Sequence, residues 1–189
     1  MIVVYKELDE QTLARYCSSG DRMAGDELYR RYAVRLHTLC MRYTGDDEEA
    51  KDLMLETLVR ALEKMGTYKY TGKGSLYAWI SRIAINKALN QIQRHRWRMV
   101  RVDLWERDDI PDPTGDEIEA VPREKLLEWI SSLPDLRRAV FNLFCIEGYS
   151  HREIGKMLGI SETASSSVLA KARKRLKENV RQYLKEREG

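Results

Sequence analysis

Apolar positions recur along this chain at steps of three and four residues. Leu28, Tyr32, Leu36, Leu39 and Tyr43 keep that spacing after Asp21, which predicts a long helix to about Tyr43. A short amphipathic helix from Glu10 to Ser18 precedes it and ends at Ser18-Ser19-Gly20. Thr44-Gly45-Asp46 interrupts the pattern. A third helix, about Asp47 to Met65, then carries Leu53, Met54, Thr57, Leu58 and Ala61 on one face. Gly66 to Gly74 reads as a loop, and Ser75 as the cap of a fourth helix running to about Arg98. Helical spacing resumes from Glu124 to Ser131 and from Pro134 to Glu147. Strand signals are absent apart from a weak Ile2-Val3-Val4.

The last periodic stretch, GYSHREIGKMLGISETASSSVLAKARKRL, reads as two helices around a tight turn. Ser150 and Glu153 have the spacing of a capping box, in which each side chain satisfies a backbone donor beside the other. Gly159 stands where the first helix must stop and reverse, a place for a residue free to take positive φ. Ser161 caps the second helix. Ile154, Leu158, Ile160 and Val168 lock the pair together, and Gly155 supplies no side chain to hold the helices apart. This is helix-turn-helix spacing, the motif that lays its second helix in a DNA major groove. A bare helical hairpin would show the same apolar set.

Composition adds a segregation of charge. The net charge is only +3 over 189 residues, but 103–119 holds eight acidic residues against the single base Arg107, with Pro111, Pro113 and Gly115 among them. Such a stretch buries little apolar surface, which predicts a mobile or variably packed acidic linker. The expectation is therefore all-α: two small helical domains, 1–98 and 122–189, joined by the flexible linker 99–121. Three scattered cysteines, Cys17, Cys40 and Cys145, suggest buried thiols in a reducing compartment. No apolar run reaches the roughly 18 residues of a membrane span, and MIVVYKELDEQTL has no basic leader. Cytoplasmic localisation without membrane insertion is the default.

Three surfaces could carry chemistry. On the third helix Asp52, Leu55, Glu56, Val59 and Glu63 fall opposite the apolar face, so two aliphatics sit among three carboxylates. That suits docking to a partner helix carrying arginines, although a plain solvated face is the bland alternative. The loop GTYKYTGKG interleaves Tyr68 and Tyr70 with Lys69 and Lys73 among glycines. Lysines neutralise phosphate, and tyrosine rings stack on unpaired bases. Asn86 and Asn90 share a face of the fourth helix, followed by Arg94, His95, Arg96, Trp97, Arg98 and Arg101; amides pair with base edges and arginines hold phosphates. Trp79, beside Ile80 and Ile83, suits the core better than a stacking platform. In the last domain the motif offers Ser150, His151, Arg152, Ser161, Thr163, Ala164, Ser166 and Ser167 to DNA, with Lys171, Arg173, Lys174 and Arg175 as phosphate anchors. No spacing for a metal site, nucleophile or phosphate loop appears, so neither cofactor, metal nor catalytic residue is expected; Cys40 and Cys145 are assigned to cores.

Taken together, DEEAKDLMLETLVRALEKM, GKGSLYAWISRIAINKAL, SSLPDLRRAVFNLFCIEGYSHREIGKMLGIS and AKARKRL resemble the extracytoplasmic-function sigma factors of bacterial RNA polymerase, from about Glu10 to Leu184. The resemblance implies a sigma region-two domain whose acidic helix binds the β′ coiled coil of core RNA polymerase. It implies that Tyr68 to Asn90 help open promoter DNA and capture a flipped base of the minus-ten element, Asn86 being the asparagine of the Arg-Ile-Ala-x-Asn pattern. It implies a sigma region-four domain that meets the β flap and reads the minus-thirty-five element, and an anti-sigma factor as regulator. The chain departs from the family at two places. Leu55 stands where a polar residue is usual, and Thr163, Ala164, Ser166 and Val168 replace the long donors usual on the recognition helix. Each bidentate base contact is worth about 1–3 kcal/mol of discrimination, so specificity shifts toward DNA shape or the Asn86 region. The competing readings are a stand-alone helix-turn-helix regulator or interaction module that does not bind polymerase, and an enzyme with an unrecognised site.

Overall fold

The structure is a computed structural model that describes residues 4–96 and 119–188. Among these residues there are eight α-helices and no strand. In chain order they are α1 (Glu10–Ser18), α2 (Arg22–Thr44), α3 (Asp47–Glu63), α4 (Ser75–Arg96), α5 (Arg123–Ser131), α6 (Asp135–Phe141), α7 (His151–Leu158) and α8 (Glu162–Glu188). Contacts divide the chain into two compact units, residues 1–41 with 46–88, and residues 42–45 with 89–189. The side chains at 95–98 and 101, and the linker from 99 to 118, lie outside the described residues.

In the first unit the helices start where the sequence supplies caps. Asp9 accepts from the Thr12 N–H at α1, Asp21 from Ala24 at α2, and Asp46 from Glu49 at α3. Gly45, at φ 73°, makes the break between α2 and α3 in a conformation other residues rarely adopt. The core is Leu13, Leu28, Leu36, Leu53, Leu76 and Ile80, all essentially inaccessible, and the expected periodic residues of α2 and α3 face it. One carboxylate is buried as well. Glu27 accepts from Arg30 at 3.0 Å and Arg31 at 2.7 Å, and Arg31 donates onward to the carbonyls of Leu8, Tyr5 and Lys6. That network fastens the 3-10 turn at Tyr5–Glu7 onto α2.

The start of α4 differs from expectation. Ser75 is a helical residue, and its hydroxyl is committed to the Tyr68 hydroxyl at 2.6 Å. The capping acceptor comes from α1 instead. Glu10 Oε2 accepts from the Gly74 N–H at 2.9 Å and from the Leu76 N–H at 3.3 Å, while Oε1 accepts from the Tyr32 hydroxyl. A carboxylate there satisfies orphan donors and also meets the positive end of the helix dipole.

In the second unit α5 to α8 enclose Leu133, Val140, Leu143, Ile154, Leu158, Val168, Leu169, Ala172 and Val180. Arg138 is buried and donates to the carbonyls of Ser131 and Leu133 and to Asp135, which satisfies the end of α5. Beyond α6 the helix widens into a π-helical turn, Asn142–Ile146. The extra residue rotates the side chains of this turn out of the α-helical register, so Cys145 is exposed, not a core thiol as expected. Cys17 and Cys40 are buried as expected, and burial pushes their thiols up to about 11 and about 12. The recognition segment and the basic stretch after it form one unbroken helix, α8, of 27 residues and about 40 Å. Among the described residues no helix is long and apolar enough to cross a membrane.

Candidate functional site

The solvent face of α3 is as the sequence places it. Asp52, Glu56 and Glu63 are exposed, and between them Leu55 and Val59 stand 48% and 58% accessible. The neighbourhood adds apolar surface that the spacing along α3 does not show. Leu62, and Met23 and Tyr29 on α2, are also exposed, and a groove of about 480 Å³ runs between the helices, lined by Tyr29, Leu55, Val59 and Leu62. Two of the carboxylates are already engaged, Glu56 with Lys87 of α4 at 2.8 Å and Glu63 with Arg60 at 2.8 Å. Asp52 has no ion pair among the described residues. An apolar strip flanked by carboxylates can desolvate a partner's aliphatics while its edges select basic groups.

The loop after α3 opens with a 3-10 turn, Met65–Thr67, and returns to α4 through Gly72 and Gly74, both at positive φ. Tyr68 is half-buried, its ring 5.6 Å from that of Trp79. Trp79 is therefore not the core residue expected: Ile80 beside it is fully buried, but Trp79 and Ile83 are partly accessible. At the loop's rim Lys69, Tyr70 and Lys73 are exposed. Asn86, Asn90 and Arg94 are exposed too, at four-residue steps along α4. Aromatic surface, lysines and amides thus lie on accessible parts of adjoining elements.

In the helix-turn-helix both halves of the capping box form. The Glu153 N–H donates to Ser150 Oγ, and the Ser150 N–H donates to Glu153 Oε2 at 2.9 Å. Gly159 ends α7 at φ 64°, and Ser161 Oγ accepts from the Ala164 N–H to start α8. At Gly155 it is the turn backbone, more than the facing helix, that excludes a side chain: a Cβ would lie 2.8 Å from the Ile160 carbonyl oxygen. Arg152, Thr163, Ser166, Arg173 and Arg175 are exposed, and Ala164, Ser167, Lys171 and Lys174 are partly so. His151 turns inward: its ring stacks on Phe144 with centroids 4.5 Å apart, and Nδ1 lies 3.0 Å from the Oγ of buried Ser165.

Both parts of this geometry have counterparts in known proteins. Residues 28–98 match Sigma-70 region 2, and residues 123–176 match Sigma-70 region 4. The ECF RNA polymerase sigma factor SigE of Mycolicibacterium smegmatis is 31% identical over 186 residues, covering 94% of this chain and 71% of that protein. The chain belongs to the ECF RNA polymerase sigma factor family. Other members at similar distance include SigM of Mycobacterium tuberculosis, 28% identical across 91% of this chain and 84% of its own length. The sigma-H factor of Pseudomonas aeruginosa is 28% identical across 96% of this chain and 98% of its own length. A match that takes in both helical domains sets aside the stand-alone regulator reading.

Several residues that build the surfaces of this sigma factor carried no periodic or motif signal. Glu10 and Lys87 reach them from other helices, and Tyr29 joins the groove because α2 packs beside α3. Sequence spacing reports neighbours on one helix, not across two. Only a tertiary arrangement brings these residues in.

Proposed function

We propose that this sigma factor docks on core RNA polymerase through the α3 face and opens promoter DNA with the loop and α4 of its first domain. The chain binds polymerase and directs it to promoters. The β′ coiled coil is the partner of Asp52, Leu55, Glu56, Val59 and Glu63. The observation that carries this is the exposed Leu55–Val59 strip beside a groove of about 480 Å³, edged by carboxylates. Exposed aliphatics clustered beside a groove and edged by carboxylates suit a surface that a partner covers.

Tyr68, Lys69, Tyr70, Lys73, Trp79, Asn86, Asn90 and Arg94 act at the minus-ten element, and Asn86 reads an unpaired base. The second domain meets the β flap and places α8 in the major groove at the minus-thirty-five element. There Arg152, Thr163, Ser166, Arg173 and Arg175 are accessible, with Lys171 and Lys174 beside them as phosphate anchors. Ser150 and Ser161 spend their side chains on caps and His151 on Phe144 and Ser165, so they position the motif more than they read DNA. An anti-sigma factor covers the α3 face, since the exposed Leu55, Val59 and Leu62 that take polymerase offer the same apolar surface to a competing partner. The protein works in the cytoplasm, and the chemistry of transcription belongs to the polymerase.

Photo-crosslinking tests the docking. Benzoylphenylalanine at Val59 is expected to capture the β′ subunit from purified core polymerase. Capture of β alone, or of neither subunit, would remove the assignment.

A further inference from the structure

Helix α8 carries one sign of charge along most of its solvent side. Ala172 and Val180 face the core. On the opposite side Lys171, Lys174, Lys177, Arg181 and Lys185 recur at three- and four-residue steps, so they form one stripe. Lys185 is exposed and the other four are partly accessible. Two acids of the same helix are engaged locally: Glu178 lies 3.7 Å from Arg175, and Glu186 accepts from Gln182 at 3.0 Å. The stripe also outruns the part of the helix that reads DNA. Lys177, Arg181 and Lys185 stand beyond residue 176, where the match to region 4 ends.

The same chain supplies a complementary segment. Residues 103–119 hold eight acids against Arg107 alone. Their downstream end is tied to the end of α8, where the Arg187 guanidinium donates to the Ala120 carbonyl at 3.0 Å. From that point back to Lys171 is about 24 Å of helix, and 103–119 extends to about 50 Å. A tether this short keeps the acids near the stripe at an effective concentration of about millimolar. We propose that the basic stripe of α8 is the docking site of the acidic segment 103–119, held by its carboxylates on Lys171, Lys174, Lys177, Arg181 and Lys185. A single accessible ion pair contributes little, so the docking depends on several acting together and on low salt. Charge pairing of this kind needs no single register. Lys171 and Lys174 are also the proposed phosphate anchors, so the docked segment competes with duplex DNA for them. That consequence rests on the reading of the second domain as the part that meets the minus-thirty-five element.

Zero-length carbodiimide crosslinking of the full chain reads the docking. An equal mixture of unlabelled and heavy-isotope-labelled protein is treated at about 50 mM and about 1 M salt, and linked peptides are mapped by mass spectrometry. The expected result is amide links from Lys174, Lys177 and Lys185 to carboxylates of 103–119, within one chain, that fall several-fold at the higher salt. Links confined to acids of α8 itself, or links between differently labelled chains, would overturn the proposal. Duplex DNA of random sequence is the second probe, bound to the full chain with every Asp→Asn and Glu→Gln change made across 103–119. That variant is expected to bind about tenfold more tightly than wild type at about 50 mM salt, with the difference shrinking as salt rises. Tighter binding without the crosslinks would mean that an undocked segment merely repels DNA, and the docking falls. Crosslinks with unchanged DNA affinity would leave the docking in place and remove Lys171 and Lys174 as phosphate anchors.

Discussion

Replacing Glu10 by alanine should loosen the DNA-facing end of the first domain from a distance. In the structure its carboxylate accepts from two backbone N–H groups at the start of α4 and from the hydroxyl of Tyr32, a residue only 5% exposed. Losing a cap of this kind costs about 0.5–2 kcal/mol. The stranded Tyr32 hydroxyl adds about 1 kcal/mol, the low end for a buried polar group, because its bond is long at 3.3 Å. The sum is about 2 kcal/mol. In a domain of this size each kilocalorie moves the midpoint by about 4–8 °C, so a fall of roughly 10 °C is expected. Since the two units need not unfold together, the assay is residue-resolved amide hydrogen exchange, with protection lost first at residues 66–78. Glu10→Gln keeps an acceptor but not the charge and should show about half the effect. A Glu10→Ala protein within about 0.5 kcal/mol of wild type, with protection at 66–78 intact, would refute the assignment of Glu10 as the cap of α4.

Other parts of the fold lead to three further outcomes. Gly155→Ala sets a methyl 2.8 Å from the Ile160 carbonyl oxygen and should destabilise the second domain by about 1–3 kcal/mol in a urea titration. Maleimide should label Cys145 rapidly in the native protein and leave Cys17 and Cys40 untouched until unfolding, because those two are buried and their thiols pushed up. Asp21 is held below the usual carboxylate range by the Tyr5 hydroxyl first and the Ala24 N–H second. With the folded value below the unfolded one, its stabilisation is present at neutral pH and lost as pH falls through the carboxylate range. Asp21→Asn should therefore lower stability at neutral pH and flatten the acid limb of the stability curve.

Local chemistry explains which features the sequence revealed. The helices of the first domain arise from apolar spacing within single segments, and α7 with its turn arises from Ser150, Glu153 and Gly159. All these signals act between residues a few positions apart. The solvent face of α3 could be read for the same reason, since one helix fixes which side chains share a side. The features that escaped depend on separate helices meeting. Glu10 and not Ser75 caps α4, because α1 arrives beside its N-terminus. Trp79 packs against Tyr68 of the loop and stays partly accessible, and His151 turns inward because Phe144 and Ser165 offer a stacking face and a hydroxyl. Cys145 surfaced through a π-helical turn, where one added residue alters the register that the apolar spacing suggested.

Docking on polymerase through the α3 face is what would make this chain act as a sigma factor. The most direct measurement is co-elution with purified bacterial core RNA polymerase, for the wild type and for a variant with Asp52 and Glu56 both changed to alanine. A stable complex is expected for the wild type and none for the variant, whose helical content and melting stay close to wild type because both carboxylates are exposed. Equal co-elution of the folded variant, or no complex with either protein, would contradict docking through that face.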